Sequence, residues 1–186
     1  MRRFAILVAL FLISLSVSRP SAQPSNAPDV PIARLERRVF ELINKQRIDE
    51  RRSAMEWDER LTRIARAHSE DMVKRRFFEH VNPDGADASA RGKHAGYACL
   101  KRVDRRTYRQ GLAENLFEEP RFSRVRITAG RHTYDWNSME EIARQAVDGW
   151  MRSAGHRHNI LEKGYEQSGV GIAVSPEHVY ITQLFC

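Results

Sequence analysis

Two imidazoles and a carboxylate fall in three separated segments, each at a turn or an element end. His80 opens H-V-N-P-D-G, Glu114 sits in L-A-E-N-L-F, and His156 falls in G-W-M-R-S-A-G-H-R-H-N-I-L. Held on loops over a rigid scaffold, such groups supply the donors of an open metal site or of a polar binding cleft. With zinc, the three side chains could leave a coordination position for water, whose pKa would fall towards about 7, so hydrolysis is one chemistry the set permits. Recognition of a polar ligand is another. A plainer arrangement is also open, in which Glu114 hydrogen-bonds His80 or His156 and fixes loop geometry, with any metal adventitious.

The neighbouring residues add little chemistry. Ser153, His156 and Glu114 together raise a serine-nucleophile reading, but no G-x-S-x-G elbow is present and a serine just before a short helix reads as an N-cap. His158 forms H-x-H with His156, yet side chains two apart on a helix face different ways, so His158 is expected at the surface. His68 lies on the apolar side of a helical segment and reads as a hydrogen-bonded core or cleft-wall histidine. The helix from there to Arg76 spans about 12 Å, so a site shared with His80 requires the chain to fold back. Asn115 reads as a loop-fixing amide, Trp150 as packing, and Asn82, Pro83, Asp84 and Gly85 as a turn that aims His80.

The elements that must hold these groups follow from periodicity. Leu35, Val39, Leu42 and Ile43 make one helical face over residues 32–46. Asp58 is an N-cap for a second helix, in which Leu61, Ile64, Ala65, His68 and Met72 repeat at helical spacing. Ser138 and Glu141 form a capping box for a third helix that buries Met139, Ile142, Ala143, Ala146, Val147, Trp150 and Met151. A short helix from about Gly155 to Leu161 stops before Gly164. Residues 169–175 and 179–185 then read as a β-hairpin, with a weaker strand at 125–128. Helices on either side of a late antiparallel pair predict an α+β fold.

The 186 residues suit one domain. Arg2 and Arg3 precede an apolar run from Phe4 to Val17, the pattern of a secretory signal peptide ending near residue 22. An uncleaved membrane anchor is the alternative, and no cysteine follows the run to support a lipid anchor. Residues 23–31, rich in Pro, Ser and Asn, read as a disordered tether. Removal of residues 1–22 takes away three arginines and no acid, so the net charge falls from +7 to +4. In an oxidising compartment Cys99 and Cys186 can form one disulfide. The basic cluster of Lys101, Arg102, Arg105, Arg106 and Arg109 is matched elsewhere by interleaved acids, which excludes a phosphate track and nucleic acid as partner. Anionic envelope polymers or lipid headgroups suit the charge better.

The ordered runs A-H-S-E-D-M-V-K-R-R-F-F-E-H-V-N-P-D-G, A-E-N-L-F, W-M-R-S-A-G-H-R-H-N-I-L, G-V-G-I-A-V and Y-I-T-Q-L-F-C resemble a bacterial member of the CAP superfamily. That superfamily takes in cysteine-rich secretory proteins, antigen 5 and pathogenesis-related 1 proteins. The resemblance covers residues 32–186 and implies a three-layer α-β-α sandwich with a central antiparallel sheet and a cleft. It also implies two cleft histidines, at His80 and His156, and two acids, the first at Glu114, sometimes holding a divalent metal such as zinc. The second acid is replaced here by Ser153. A helical step of five residues, about 500°, keeps Asp148 from substituting for it.

These readings converge on a secreted or periplasmic, monomeric binding module whose His80, Glu114 and His156 contact a divalent metal or polar ligand. The expected partner is an envelope component, protein or lipid. A metal-dependent hydrolase of peptide or cell-wall material, with Glu114 as its catalytic carboxylate, is the alternative. Carriage of a sterol or other lipid, implied by other members of the superfamily, is the minor one, because no exposed apolar or aromatic-rich loop stands out.

Overall fold

A computed structural model describes residues 27–102 and 106–186. The expected signal peptide, the first part of the tether and Arg105 lie outside the described residues. Of the expected tether, the Pro28 carbonyl accepts a hydrogen bond from Arg121 and Val30 packs against the core.

Helices α1 (Ile32–Asp49) and α2 (Glu59–Arg75) are joined through the two-residue strand β1 (Glu56–Trp57). There follow α3 (Ala88–His94), the short strands β2 (Leu100–Arg102) and β3 (Tyr108–Gln110), and β4 (Ala113–Pro120). A hairpin of β5 (Phe122–Thr128) and β6 (Arg131–Trp136) leads into α4 (Met139–Arg152) and α5 (Ala154–Leu161), and the chain ends with β7 (Gln167–Val174) and β8 (His178–Phe185). The caps are those the sequence predicts. Asp58 accepts from the N–H groups of Arg60 and Leu61, and Ser138 and Glu141 close a reciprocal capping box.

The main sheet has the order β1-β7-β8-β4. It is mixed, not wholly antiparallel as expected, because β1 runs parallel to β7. β1 is the passage between two helices on opposite faces, so that crossover sets its direction instead of a hairpin. One face packs Val170, Ile172, Val179, Ile181 and Phe185 against Leu35, Val39 and Ile43 of α1 and the buried side of α4. The other packs Leu184 against Leu61, Ile64 and Ala65 of α2. The result is three layers, α-β-α, built from both faces of one sheet.

Two glycines decide how close α2 comes. A Cβ added at Gly169 would stand 2.3 Å from the Thr62 nitrogen, and one at Gly171 would stand 1.9 Å from the Arg66 nitrogen. The helix backbone therefore rests directly on β7. Beyond the short β1 the edge of β7 is open, and a half-buried ion pair covers it. Glu36 of α1 accepts from Arg66 of α2 at 2.8 and 2.6 Å and from the Ile172 N–H at 3.1 Å.

Cys99 and Cys186 are disulfide-bonded with Cα atoms 5.6 Å apart, closing a separation of 87 residues. The pairing fastens the end of β8 to the segment before β2. The β5–β6 hairpin corrects the expectation that no exposed apolar or aromatic-rich segment stands out. It forms its own two-stranded sheet, with Val125 and Ile127 exposed and Phe122, Tyr134 and Trp136 clustered at its base. In sequence the aliphatic residues alternate with arginines, and Phe122 meets Tyr134 and Trp136 only through strand pairing.

Gly171→Ala should lose about 2–3 kcal/mol or more in urea denaturation, since backbone must move to admit the methyl. Gly155→Ala, where nothing lies within 4 Å, should cost nothing. Replacing Cys99 and Cys186 by serine should remove up to about 4–5 kcal/mol by the loop-entropy argument, with amide exchange rising first at the end of β8.

Candidate functional site

The site forms at the β4 edge of the sheet. α2 ends at Arg75 and is capped by Arg76, whose φ of 58° puts it in the left-handed region, and the Phe77 N–H closes back on the Met72 carbonyl at 3.2 Å. The chain therefore folds back along the helix. His68, fully buried on α2, donates from Nε2 to the Glu79 carbonyl at 3.1 Å, which seats the residue before His80 against the cleft wall. The following turn is tied by Asn82, whose side-chain oxygen accepts from Asp84 N at 3.1 Å and Ala86 N at 2.9 Å, with Gly85 at φ 80°.

Glu114 is the second residue of β4, not a loop residue as expected. It pairs across the ladder with Leu184, so its side chain shares the face occupied by α2 and α3. That carboxylate is 4% exposed and has two partners. His80 donates from Nδ1 to Oε1 at 2.8 Å, and Arg91 of α3 donates from Nη2 to Oε2. Arg91, 11% exposed, also donates from Nη1 to the carbonyls of His80 at 2.9 Å and Ala86 at 2.8 Å. One guanidinium thus holds both the carboxylate and the backbone of the histidine bound to it.

His156 comes from the opposite layer, inside the first turn of α5 and again not on a loop. Asn115, fully buried next to Glu114, donates to the His156 carbonyl at 3.2 Å and accepts from Asn159 Nδ2 at 3.0 Å. Asn159 also donates to the Glu114 carbonyl at 3.3 Å, satisfying part of the open β4 edge. Asn115 is the geometry-fixing amide its type suggests. Trp150 is buried and donates to the Leu116 carbonyl at 2.8 Å. His158 is exposed at the surface. Ser153 stands at the N-cap of α5, but its hydroxyl makes no cap bond and bonds no residue among those described. A Ser153–His156 nucleophile pair is not formed.

The two imidazoles are shifted in opposite directions. The hydrogen bond to Glu114 raises the pKa of His80, whereas burial, with the nearby charge of His80, lowers that of His156. Burial likewise lowers that of His68. Charging His80 is favoured by the fold, so its contribution to stability is complete below the ordinary imidazole pKa and disappears as pH rises through the raised value. His156 works the other way, costing stability as pH falls below the ordinary value.

The donor set does not fit a three-ligand zinc centre. Both oxygens of Glu114 are engaged, and a guanidinium stands against them where a second cation would have to approach. Among the described residues no group of three or more His, Cys, Asp or Glu is placed to hold a metal. Arg91 is the residue that sequence reasoning missed. α3 is short and was not foreseen, and only the burial of Glu114 marks the need for a fixed cation.

A three-layer sandwich with paired histidines over a sheet-edge carboxylate defines a class of domain, and comparison with known proteins gives its family. Residues 40–185 match the model of CAP, the cysteine-rich secretory protein family, and the chain belongs to that family. It is 26% identical over 150 residues to the uncharacterized membrane protein YlbC of Bacillus subtilis, covering 81% of this chain and 34% of that one. The chain spans less than half the length of the curated relatives it matches. Its fold is similar to that of an extracellular protein containing a SCP domain from Bacillus anthracis, with TM-score 0.59 and 22% identity over 86% of this chain and 44% of that one. It is also similar to an outer surface protein of Borrelia burgdorferi, with TM-score 0.61 and 12% identity over 86% and 97% of the two chains. Among the described residues no helix is long and apolar enough to cross a membrane.

NMR titration of the imidazole resonances should place His80 above and His156 below an ordinary histidine. In Glu114→Gln the His80 value should fall back towards the ordinary one; an unchanged value would mean that the carboxylate does not hold the imidazole.

Proposed function

We propose that this chain is a binding module acting outside the cytoplasm, as a monomer, and that its cleft takes a polar, oxygen-rich ligand from the cell envelope and does not house a catalytic metal. The observation that carries the reading is the engagement of Glu114 by both Arg91 and His80. When His80 is protonated, that trio carries one negative and two positive charges, so the cleft favours a carboxylate, phosphate or hydroxyl oxygen over a second cation. His156, when neutral, can donate to or accept from the same ligand. The family's description as secretory and the disulfide both support export. The description of one relative as a membrane protein supports a place at the envelope. The partner, protein or lipid, is envelope material; nucleic acid is not expected at this location.

The alternative is a metal-dependent hydrolase, with His80, His156 and Glu114 around zinc. It requires Arg91 to release Glu114 and a second group to carry the proton, at the position where Ser153 stands.

The test is a titration of the chelator-stripped domain with acetate and inorganic phosphate, followed at the His80 and His156 resonances, beside calorimetric titration with zinc. The expected result is saturable shifts for the anions, absent in the folded His80→Ala, His156→Ala double variant, and no zinc affinity that depends on Glu114. Micromolar or tighter zinc binding abolished by Glu114→Gln, together with chelator-sensitive hydrolysis of peptide or cell-wall substrates, would overturn it.

A further inference from the structure

The β5–β6 hairpin stands apart from the main sheet and presents aliphatic side chains to solvent. Ile127 is 67% and Val125 38% exposed. Register places Val125 opposite Tyr134 and Ile127 opposite His132, so these four side chains share one face. Two-stranded hairpins are marginal in water on their own. This one is held at its base by the Phe122, Tyr134 and Trp136 rings, with centroids 5.0 to 5.7 Å apart, and by Arg121 over Trp136 at 5.4 Å.

Its tip is unusual in composition. Thr128 pairs with Arg131 across a two-residue turn in which Ala129 has φ 48° and Gly130 φ 75°. Both positions are left-handed, where asparagine, aspartate and glycine are the usual choices. Alanine at the first accepts backbone strain and leaves the two turn positions themselves without a polar side chain. Arg131 closes the turn, and Arg126 and Arg124 stand behind it along β5. Asp135 pairs with Arg126 at 2.7 Å, and Arg124 and Arg131 have no ion-pair partner among the described residues.

We infer that this hairpin is a docking element for an anionic lipid surface, its outer half entering the headgroup region with the face that carries Ile127 and Val125 while the arginines meet lipid phosphates. Three observations on the hairpin itself select this occupant. The unmatched charge is positive, complementary to acidic headgroups. The exposed aliphatic area is confined to two side chains on one face of a narrow hairpin, less than a protein partner needs at about 800 Å² per side, but suited to wedging among lipids. The tyrosine and tryptophan lie up to about 13 Å behind Ile127 at strand spacing, the level at which such rings sit at a membrane interface. The hairpin begins beyond the end of β4, about 20 Å along the strand from Glu114, so its docking is independent of the cleft reading.

The test is co-sedimentation of the domain from residue 27 onward, which contains the whole core described above, with phosphatidylcholine vesicles containing or lacking phosphatidylglycerol. Binding should require phosphatidylglycerol and weaken about tenfold or more in Val125→Asp, Ile127→Asp. Arg124→Ala, Arg131→Ala should remove the preference for the acidic lipid. Circular dichroism and an unchanged thermal midpoint confirm that each variant is folded. No binding to acidic vesicles, or equal binding by the folded Val125→Asp, Ile127→Asp variant, would overturn the proposal, as would capture of the hairpin by a protein partner with no lipid binding.

Discussion

A carboxylate buried at the edge of a sheet must find positive partners inside the protein, and the cleft is organised around the neutralisation of Glu114. With a side chain only 4% exposed, Glu114 is cut off from water, and its oxygens must be met by donors fixed inside the fold. Arg91 supplies them, and it does more than cancel charge. By also bonding the carbonyls of His80 and Ala86 it ties α3, the turn at residues 82–86 and the first cleft histidine into one unit. His80 then completes the second oxygen of the carboxylate and becomes the more easily protonated imidazole.

The opposite wall is fixed by amides. Asn115 and Asn159 bond each other and the backbone at His156 and Glu114, so the first turn of α5 cannot shift without breaking a buried network. The cleft is thus a place where two layers meet over β4: α2 and α3 deliver His80 and Arg91 on one side, α5 delivers His156 on the other. That meeting depends on the close seat of α2 on Gly169 and Gly171, which sets the height of the whole α2–α3 layer above the sheet. Two imidazoles whose pKa values are shifted in opposite directions thus flank an acid compensated inside the fold.

Much of this was legible in the sequence because it is local. The Asp58 cap, the Ser138–Glu141 box and the period-2 runs that become β7 and β8 state their own structure. His80, Glu114 and His156 stand out by type and by the motifs around them, and Ser153 by the acid it replaces. What was hidden is relational. Nothing about Arg91 distinguishes it from the chain's other arginines until Glu114 is known to be buried beside it. The reversal at Arg76, a non-glycine residue in a left-handed conformation, has no local signal, and so the approach of His68 to the His80 segment was missed. Glu36 and Arg66 look like surface charges on two helices and in fact close the open edge of β7. The apolar tip at Ile127 was masked by the arginines that alternate with it.

Whether Arg91 and Glu114 compensate each other inside the fold can be measured by a double-mutant cycle in urea, with Arg91→Met, Glu114→Gln and the combined variant. The expected coupling is about 1.5 kcal/mol or more, because removing either partner alone leaves the other's charge buried and unpaired. A coupling near zero would mean that the two charges do not hold each other, leaving Glu114 free for a metal and the cleft open to the hydrolytic reading.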